Sequence, residues 1–295
     1  MAMPMTTHRR EPRGQDRHAR IGQATRLERS LTHLLLVVLA VLLVAPFFYV
    51  LTASLKNETA LFKYPPQWLP IPPYFGNFAD ILTNTGFLGW MLNTLIVAGS
   101  VTTLKIFLDS AAGYGFAKLD FTGRRLLFVA MVALLMVPFG VILIPLWSIV
   151  HAMGLLNTYW ALILPPLANP LGVFLMRQYV LALPADLENA ARLDGVSEFG
   201  VYFRIVLPLI RPGLVVLAVV IFTDQYMSFL WPYFATTGTD LQVLTVGLAG
   251  LRSWGQVNYG LWSAASVLAL IPIGVVFFAL QRQFTTNSLA GALKQ

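Results

Sequence analysis

Apolar residues run along this chain in long tracts separated by short polar clusters. Four tracts contain no Asp, Glu, Lys or Arg: residues 30–55, 81–104, 126–176 and 253–281. A hydrocarbon core about 30 Å thick is crossed by roughly 20 helical residues. Each tract therefore predicts a helical span, and the 51-residue tract predicts two, divided near Ser148–Thr158 where His151, Gly154 and Asn157 interrupt the run. A further apolar segment, Gly213–Trp231, is broken only by Asp224. The pattern predicts an all-α membrane protein with six transmembrane helices, at about 31–53, 88–108, 126–145, 159–177, 213–232 and 260–281.

Composition agrees with that pattern. The 295 residues are 57% hydrophobic and 11% charged, against about 25% charged in soluble domains, which excludes a cytosolic enzyme and a disordered chain. The absence of cysteine excludes disulfides, iron–sulfur clusters and thiolate zinc sites. The four histidines, at 8, 18, 33 and 151, are too scattered for a metal cluster. Charge placement sets the topology, because Lys and Arg are retained in short cytoplasmic loops. With the N-terminus inside, sixteen Lys and Arg lie on the cytoplasmic side and three (Lys56, Lys63, Arg252) outside, with Lys105 within a span. Both termini are predicted to be cytoplasmic.

That count also explains the net charge of +7 without nucleic acid. The arginines of the basic tail 1–30 are interleaved with Glu11, Asp16 and Glu28 and lack aromatic neighbours, so membrane lipid with anionic headgroups is their natural contact. The apolar run behind the tail is too long for a signal peptide. Outside, residues 54–87 carry Pro65, Pro66, Pro70, Pro72 and Pro73 among Tyr64, Trp68, Tyr74 and Phe75, suited either to interfacial packing or to docking of an external partner.

Polar residues inside spans are the candidates for chemistry. Lys105 and Asp109 are four apart, so on a helix they share a face and can pair. Pro165, Pro166 and Pro170, with Asn169, rule out a regular fourth span; its freed carbonyls need donors from neighbouring helices or a wet cavity. Asp224 would be costly facing lipid, and Gln225, Tyr226, Ser228 and Trp231 follow it. Aromatic faces with amide and carboxylate groups suit sugars. Either this run lines a substrate path, or Asp224 bonds a neighbouring helix.

The segment between the fourth and fifth spans reads Leu183-Pro-Ala-Asp-Leu-Glu-Asn-Ala-Ala-Arg-Leu-Asp-Gly195, then Val-Ser-Glu-Phe-Gly-Val-Tyr-Phe-Arg-Ile-Val-Leu-Pro208. Pro184 can open a helix, Asp186 and Glu188 suit its positive end, and Gly195 suits a left-handed cap. A second helix is predicted from Ser197 to Pro208, with Phe199, Phe203 and Val206 on one stripe. The result is a cytoplasmic helical hairpin with a small Ala190–Ala191 surface.

This hairpin resembles the EAA motif of binding-protein-dependent ABC importer permeases: Glu-Ala-Ala, three residues, Gly, nine residues, Ile, any residue, Leu-Pro. Ala190, Ala191, Gly195, Ile205, Leu207 and Pro208 match, whereas Asn189 stands where the motif has Glu, with Glu188 just before it. Asn93-Thr94, Tyr114 to Phe121 with Gly123-Arg124-Arg125, the run Asp224–Pro232 and the tail Ala290-Gly291-Ala292-Leu293-Lys294 look like the maltose-type, carbohydrate-uptake members. The resemblance implies a type I importer permease fold in a prokaryotic inner membrane, with the transmembrane domain over 88–282 following a first helix and Pro-rich segment at 31–87. It also implies ATPase coupling through 184–208, by Glu188, Asn189, Ala190, Ala191, Asp194, Gly195, Ile205, Leu207 and Pro208. The cytoplasmic tail 283–295 would reach the ATPase. Asn93, Asn169, Asp224, Gln225, Tyr226, Ser228 and Trp231 are the candidate substrate path.

The implied partners are a second permease, an ATPase dimer that holds ATP and magnesium, and an extracytoplasmic substrate-binding protein, with no cofactor on this chain and no nucleic acid. None of the five lysines follows a glycine, so the chain has no Walker-type phosphate loop of its own. An ion-coupled secondary transporter, using Lys105, Asp109 and Asp224, is the alternative. Neither Gly-x-Ser-x-Gly nor His-Glu-x-x-His is present to suggest an enzyme.

Overall fold

The computed structural model describes residues 26–238, 240–251 and 257–292, with side chains from 29 to 281 among them. The elements are α1 (Arg26–Ser54), α2 (Glu58–Leu61), α3 (Gly76–Thr83), α4 (Phe87–Lys118), α5 (Arg124–Ala133), α6 (Phe139–Ala152), α7 (Tyr159–Leu167) and α8 (Leu171–Leu181). They continue as α9 (Ala185–Leu193), α10 (Glu198–Val201), a π turn (Tyr202–Val206), α11 (Leu207–Leu209), α12 (Arg211–Tyr226), α13 (Leu230–Ala235), α14 (Leu244–Gly250) and α15 (Tyr259–Ala292). No strand occurs among the described residues.

Three segments are long, unbroken and apolar enough to cross a membrane: Arg29–Ser54, Phe87–Lys118 and Tyr259–Gln281. Three more are helix pairs bent at a short break, which makes six if each pair counts once. The bends correct the straight spans that hydropathy suggested. The expected helix 126–145 is two helices, Arg124–Met136 and Phe139–Ala152, meeting at 104°. Pro138 is the cause: it has no N–H to continue the ladder and drives Val137 into extended backbone (ψ 117°). The expected helix 213–232 stops at Tyr226 and resumes at Leu230. The last helix continues past 281 to Ala292, through most of the expected tail; Leu293 and Lys294 lie outside the described residues.

The chain divides into two compact units, residues 1–49 and 50–295. In the first, the described part of α1 is apolar from Leu34 to Val44 on every face. In the second, α4 is the central element, packed most extensively on α8 and α12 and also on α7 and α14. Val97, Val101, Met176, Leu217, Val201 and Val206 form the middle of its main core. That core ties the second, fourth and fifth spans to the residues after Gly195.

Polar side chains buried in this unit bond backbone groups that irregular segments leave open. Pro165 has no N–H for the carbonyl of Ala161, four residues earlier, and the Trp231 indole donates to that carbonyl at 2.8 Å. Asn93 donates to the carbonyls of Asp240 and Gln242 at 2.9 and 3.0 Å, while its own oxygen accepts from the Tyr159 hydroxyl. Near the external segment, buried Lys56 donates to the Gln67 carbonyl, and Asn77 donates to the carbonyls of Ser54 and Lys56.

Candidate functional site

The segment after Leu183 folds as the hairpin that its residues suggest. Pro184 precedes α9, and Asp186 and Glu188 occupy its first turn, where exposed backbone N–H groups favour negative charge. Gly195 takes φ 78° and closes the helix. Val196 N–H donates to Ala191 O at 3.0 Å and Gly195 N–H to Arg192 O at 3.0 Å, the paired bonds of a left-handed cap. Ser197 then starts α10, its hydroxyl accepting from the Gly200 N–H at 3.3 Å.

The second arm departs from the expected stripe. Phe199 and Phe203 are exposed, at 79% and 53%, while Val201, Tyr202 and Val206 are buried. The π turn is the reason. It lets Leu207 N–H bond the Tyr202 carbonyl five residues back, and the wider turn takes Val206 off the face of Phe199. The helix also runs through Pro208 to Leu209 rather than stopping there.

The hairpin is held to α4 by a ladder of polar contacts. The Ser110 and Tyr202 hydroxyls are 2.7 Å apart. One turn on, the Tyr114 hydroxyl donates to Glu198 Oε2 at 2.7 Å. A further turn on, Lys118 Nζ lies 2.8 Å from Glu188 Oε1. Positions 110, 114 and 118 recur every four residues and so share one face of α4. Arg192 joins the two carboxylates, at 2.7 Å from Glu198 Oε1 and 3.6 Å from Glu188 Oε2. Hydrogen bonds from Arg192, then from Tyr114, hold the Glu198 carboxyl below the usual carboxylate range, and that carboxylate raises the Arg192 guanidinium.

Burial separates the two sides of α9. Glu188 is 1% exposed and turned toward α4, whereas Asn189, Ala190, Leu193 and Asp194 face outward. Leu193, at 89% exposed, and Phe199 stand out as apolar knobs beside the small Ala190 surface. Sequence reasoning counted Lys118 and Arg192 only as loop charges and passed over Glu198. The available signal was the four-residue spacing of Ser110, Tyr114 and Lys118.

Most of the seven pathway candidates have hydrogen-bond partners within the chain. Tyr226 is buried and donates to the Ala269 carbonyl at 2.8 Å. Trp231 and Asn93 are committed to the backbone bonds described above. Asn169 accepts from the Leu171 N–H at 2.9 Å, starting α8. Asp224 and Gln225 pair with each other at 2.8 Å in the last turn of α12, just before the break at Met227. Ser228 lies beyond that end, half-buried. No group of three or more His, Asp or Glu able to hold a metal occurs among the described residues.

Bent apolar helices pack on α4, and a helical hairpin is tied to the Ser110–Lys118 end of that helix. Residues 110–287 match the model of a family described as binding-protein-dependent transport system inner membrane component. The chain belongs to this family. It is 34% identical over 263 residues to an arabinooligosaccharide transport system permease protein of Halalkalibacterium halodurans, covering 87% of this chain and 93% of that one. It is 31% identical over 274 residues to a diacetylchitobiose uptake system permease protein of Streptomyces coelicolor, covering 90% and 87%. Its fold is similar to that of a chain in the crystal structure of a bacterial ABC transporter involved in import of the acidic polysaccharide alginate, with a TM-score of 0.78 at 19% identity, covering 88% of this chain and 98% of that one. This chain is thus a non-catalytic permease subunit of an importer in the inner membrane, working with a substrate-binding protein, and the ion-coupled alternative is not favoured.

Proposed function

We propose that this chain is one half of the translocation pathway for an oligosaccharide or related polyhydroxy solute, and that it pairs with a second permease and is driven by an ATPase dimer seated on the α9–α10 hairpin. ATP and magnesium would reside on that ATPase, and both termini, with the tail to Lys294, would face it in the cytoplasm. The carrying observation is the two-sided hairpin. Its inner side is fixed to α4 through Glu188 and Glu198, and its outer side leaves Ala190, Leu193 and Phe199 exposed. Apolar knobs above a rigid base suit a cleft in another protein.

The solute class rests on relatives named for arabinooligosaccharide and diacetylchitobiose transport. Asp224 and Gln225 remain the candidates on this chain to meet a sugar hydroxyl, since Asn93, Tyr226 and Trp231 spend their polar atoms inside the fold.

Co-purification tests the docking face. Leu193→Asp and Phe199→Asp are expected to lose the ATPase while the membrane subunits still assemble; retention of the ATPase by both variants removes the hairpin from the interface. Titrating the substrate-binding protein that stimulates this complex with arabinotriose, diacetylchitobiose and maltotriose tests the solute class, and a failure to bind any of them rejects it.

A further inference from the structure

The fourth span is interrupted between Leu167 and Leu171 and bends by 44°. At such a break the last carbonyls of α7 lose their helical partners. Two are satisfied locally, since Ala168 N–H bonds Pro165 O and Asn169 N–H bonds Pro166 O, both at 3.2 Å. The Leu167 carbonyl would ordinarily receive the Leu171 N–H, but that group bonds the Asn169 side chain.

A lysine from another helix fills the gap. Lys105 of α4, 3% exposed, donates to Asn169 O at 2.8 Å and to Leu167 O at 3.5 Å. Its remaining donor faces Asp109, 3.0 Å away. An ammonium has three donors and no acceptor, and here all three are directed. The cation also lies at the negative end of α7, where it is electrostatically favoured. Asp109 in turn needs the absence of a side chain at Gly172, the second residue of α8: a Cβ there would fall 1.8 Å from Oδ2. Three elements, α4, the end of α7 and the start of α8, thus meet at one buried charge pair.

We propose that Lys105 is a positioning residue for import, which clamps the break of the fourth span to α4 so that the two move as one body during transport. Asp109 serves as its counter-ion and Gly172 as the space for that carboxylate. Because α4 also carries the ladder to the docking hairpin, the clamp extends the same rod to the fourth span. This rests on the permease reading and is independent of which solute is carried.

The chain has no cysteine, so Ala168→Cys gives one thiol in this subunit, between the two clamped carbonyls, for a nitroxide label. In the assembled complex in proteoliposomes, the wild-type background is expected to give an immobile spectrum both without nucleotide and with ATP and vanadate. Lys105→Met is expected to raise the ratio of mobile to immobile signal roughly tenfold, the factor of one lost charge-assisted hydrogen bond. Lys105→Gln, which keeps an amide donor, is expected to give a smaller rise and decides by the same criterion if Lys105→Met does not assemble. A nitroxide at Lys63→Cys, in the exposed external segment, is expected to stay unchanged. An unaltered spectrum at position 168, or an equal change at position 63, overturns the clamp.

Discussion

Two lysines of α4, Lys105 in its middle and Lys118 at its end, each face a buried carboxylate, and the two sites are built differently. Lys105 is enclosed, with its side chain 4% exposed and its counter-ion Asp109 2% exposed, and its other donors go to backbone that cannot be replaced. Lys118 is 14% exposed, and its partner Glu188 has a second cation in Arg192, which also holds Glu198. The first is a sealed clamp with one arrangement. The second is a cluster at the water boundary in which one contact can weaken while another holds. A buried pair stripped of one member leaves an uncompensated charge in low dielectric, whereas water and a spare cation soften the same loss at the boundary. The difference suits a rod that stays rigid against the fourth span yet yields at its hairpin end, where the proposed ATPase would dock.

The same substitution at both lysines tests this directly. Lys105→Met is expected to cost about 3–5 kcal/mol, measured by denaturant unfolding of the complex in detergent. Lys118→Met is expected to cost about 1 kcal/mol, with import reduced more than the yield of complex. Equal costs at the two positions break the comparison.

A smaller effect is expected at the hairpin turn. A side chain at Gly195 would meet nothing within 4 Å, so only its φ of 78° resists substitution. Gly195→Val is therefore expected to cost about 1–2 kcal/mol through backbone strain alone, lowering import while insertion and yield persist. Wild-type uptake by this variant separates turn geometry from coupling. The smallest effect is expected at Asn189. It is exposed, and its side chain accepts from Arg192 at 3.3 Å. Asn189→Glu should leave stability unchanged and import equal or higher; a marked loss of import indicates that the amide itself is required.

The sequence made local features plain. The four-residue spacing of Lys105 and Asp109 announced a shared helix face, the run from Pro184 to Gly195 announced a capped helix, and the three prolines announced a fourth span in need of outside donors. It misjudged the third span, because hydropathy is blind to the backbone turn that Pro138 imposes. It misjudged the stripe on the second arm, because a π turn shifts the register without changing composition. For the pathway it picked polar residues in apolar tracts, and three of these, Asn93, Tyr226 and Trp231, turn out to bond backbone inside the chain.

By itself, then, the sequence determined which segments are apolar enough to leave water and where the first helix of the hairpin starts and is capped, since hydropathy and capping act within a few residues. Only the tertiary structure decided where Lys105 and Lys118 find their partners, more than sixty residues away at Asn169 and Glu188. A donor's need for an acceptor is written in its side chain, but the partner is chosen by how the helices pack.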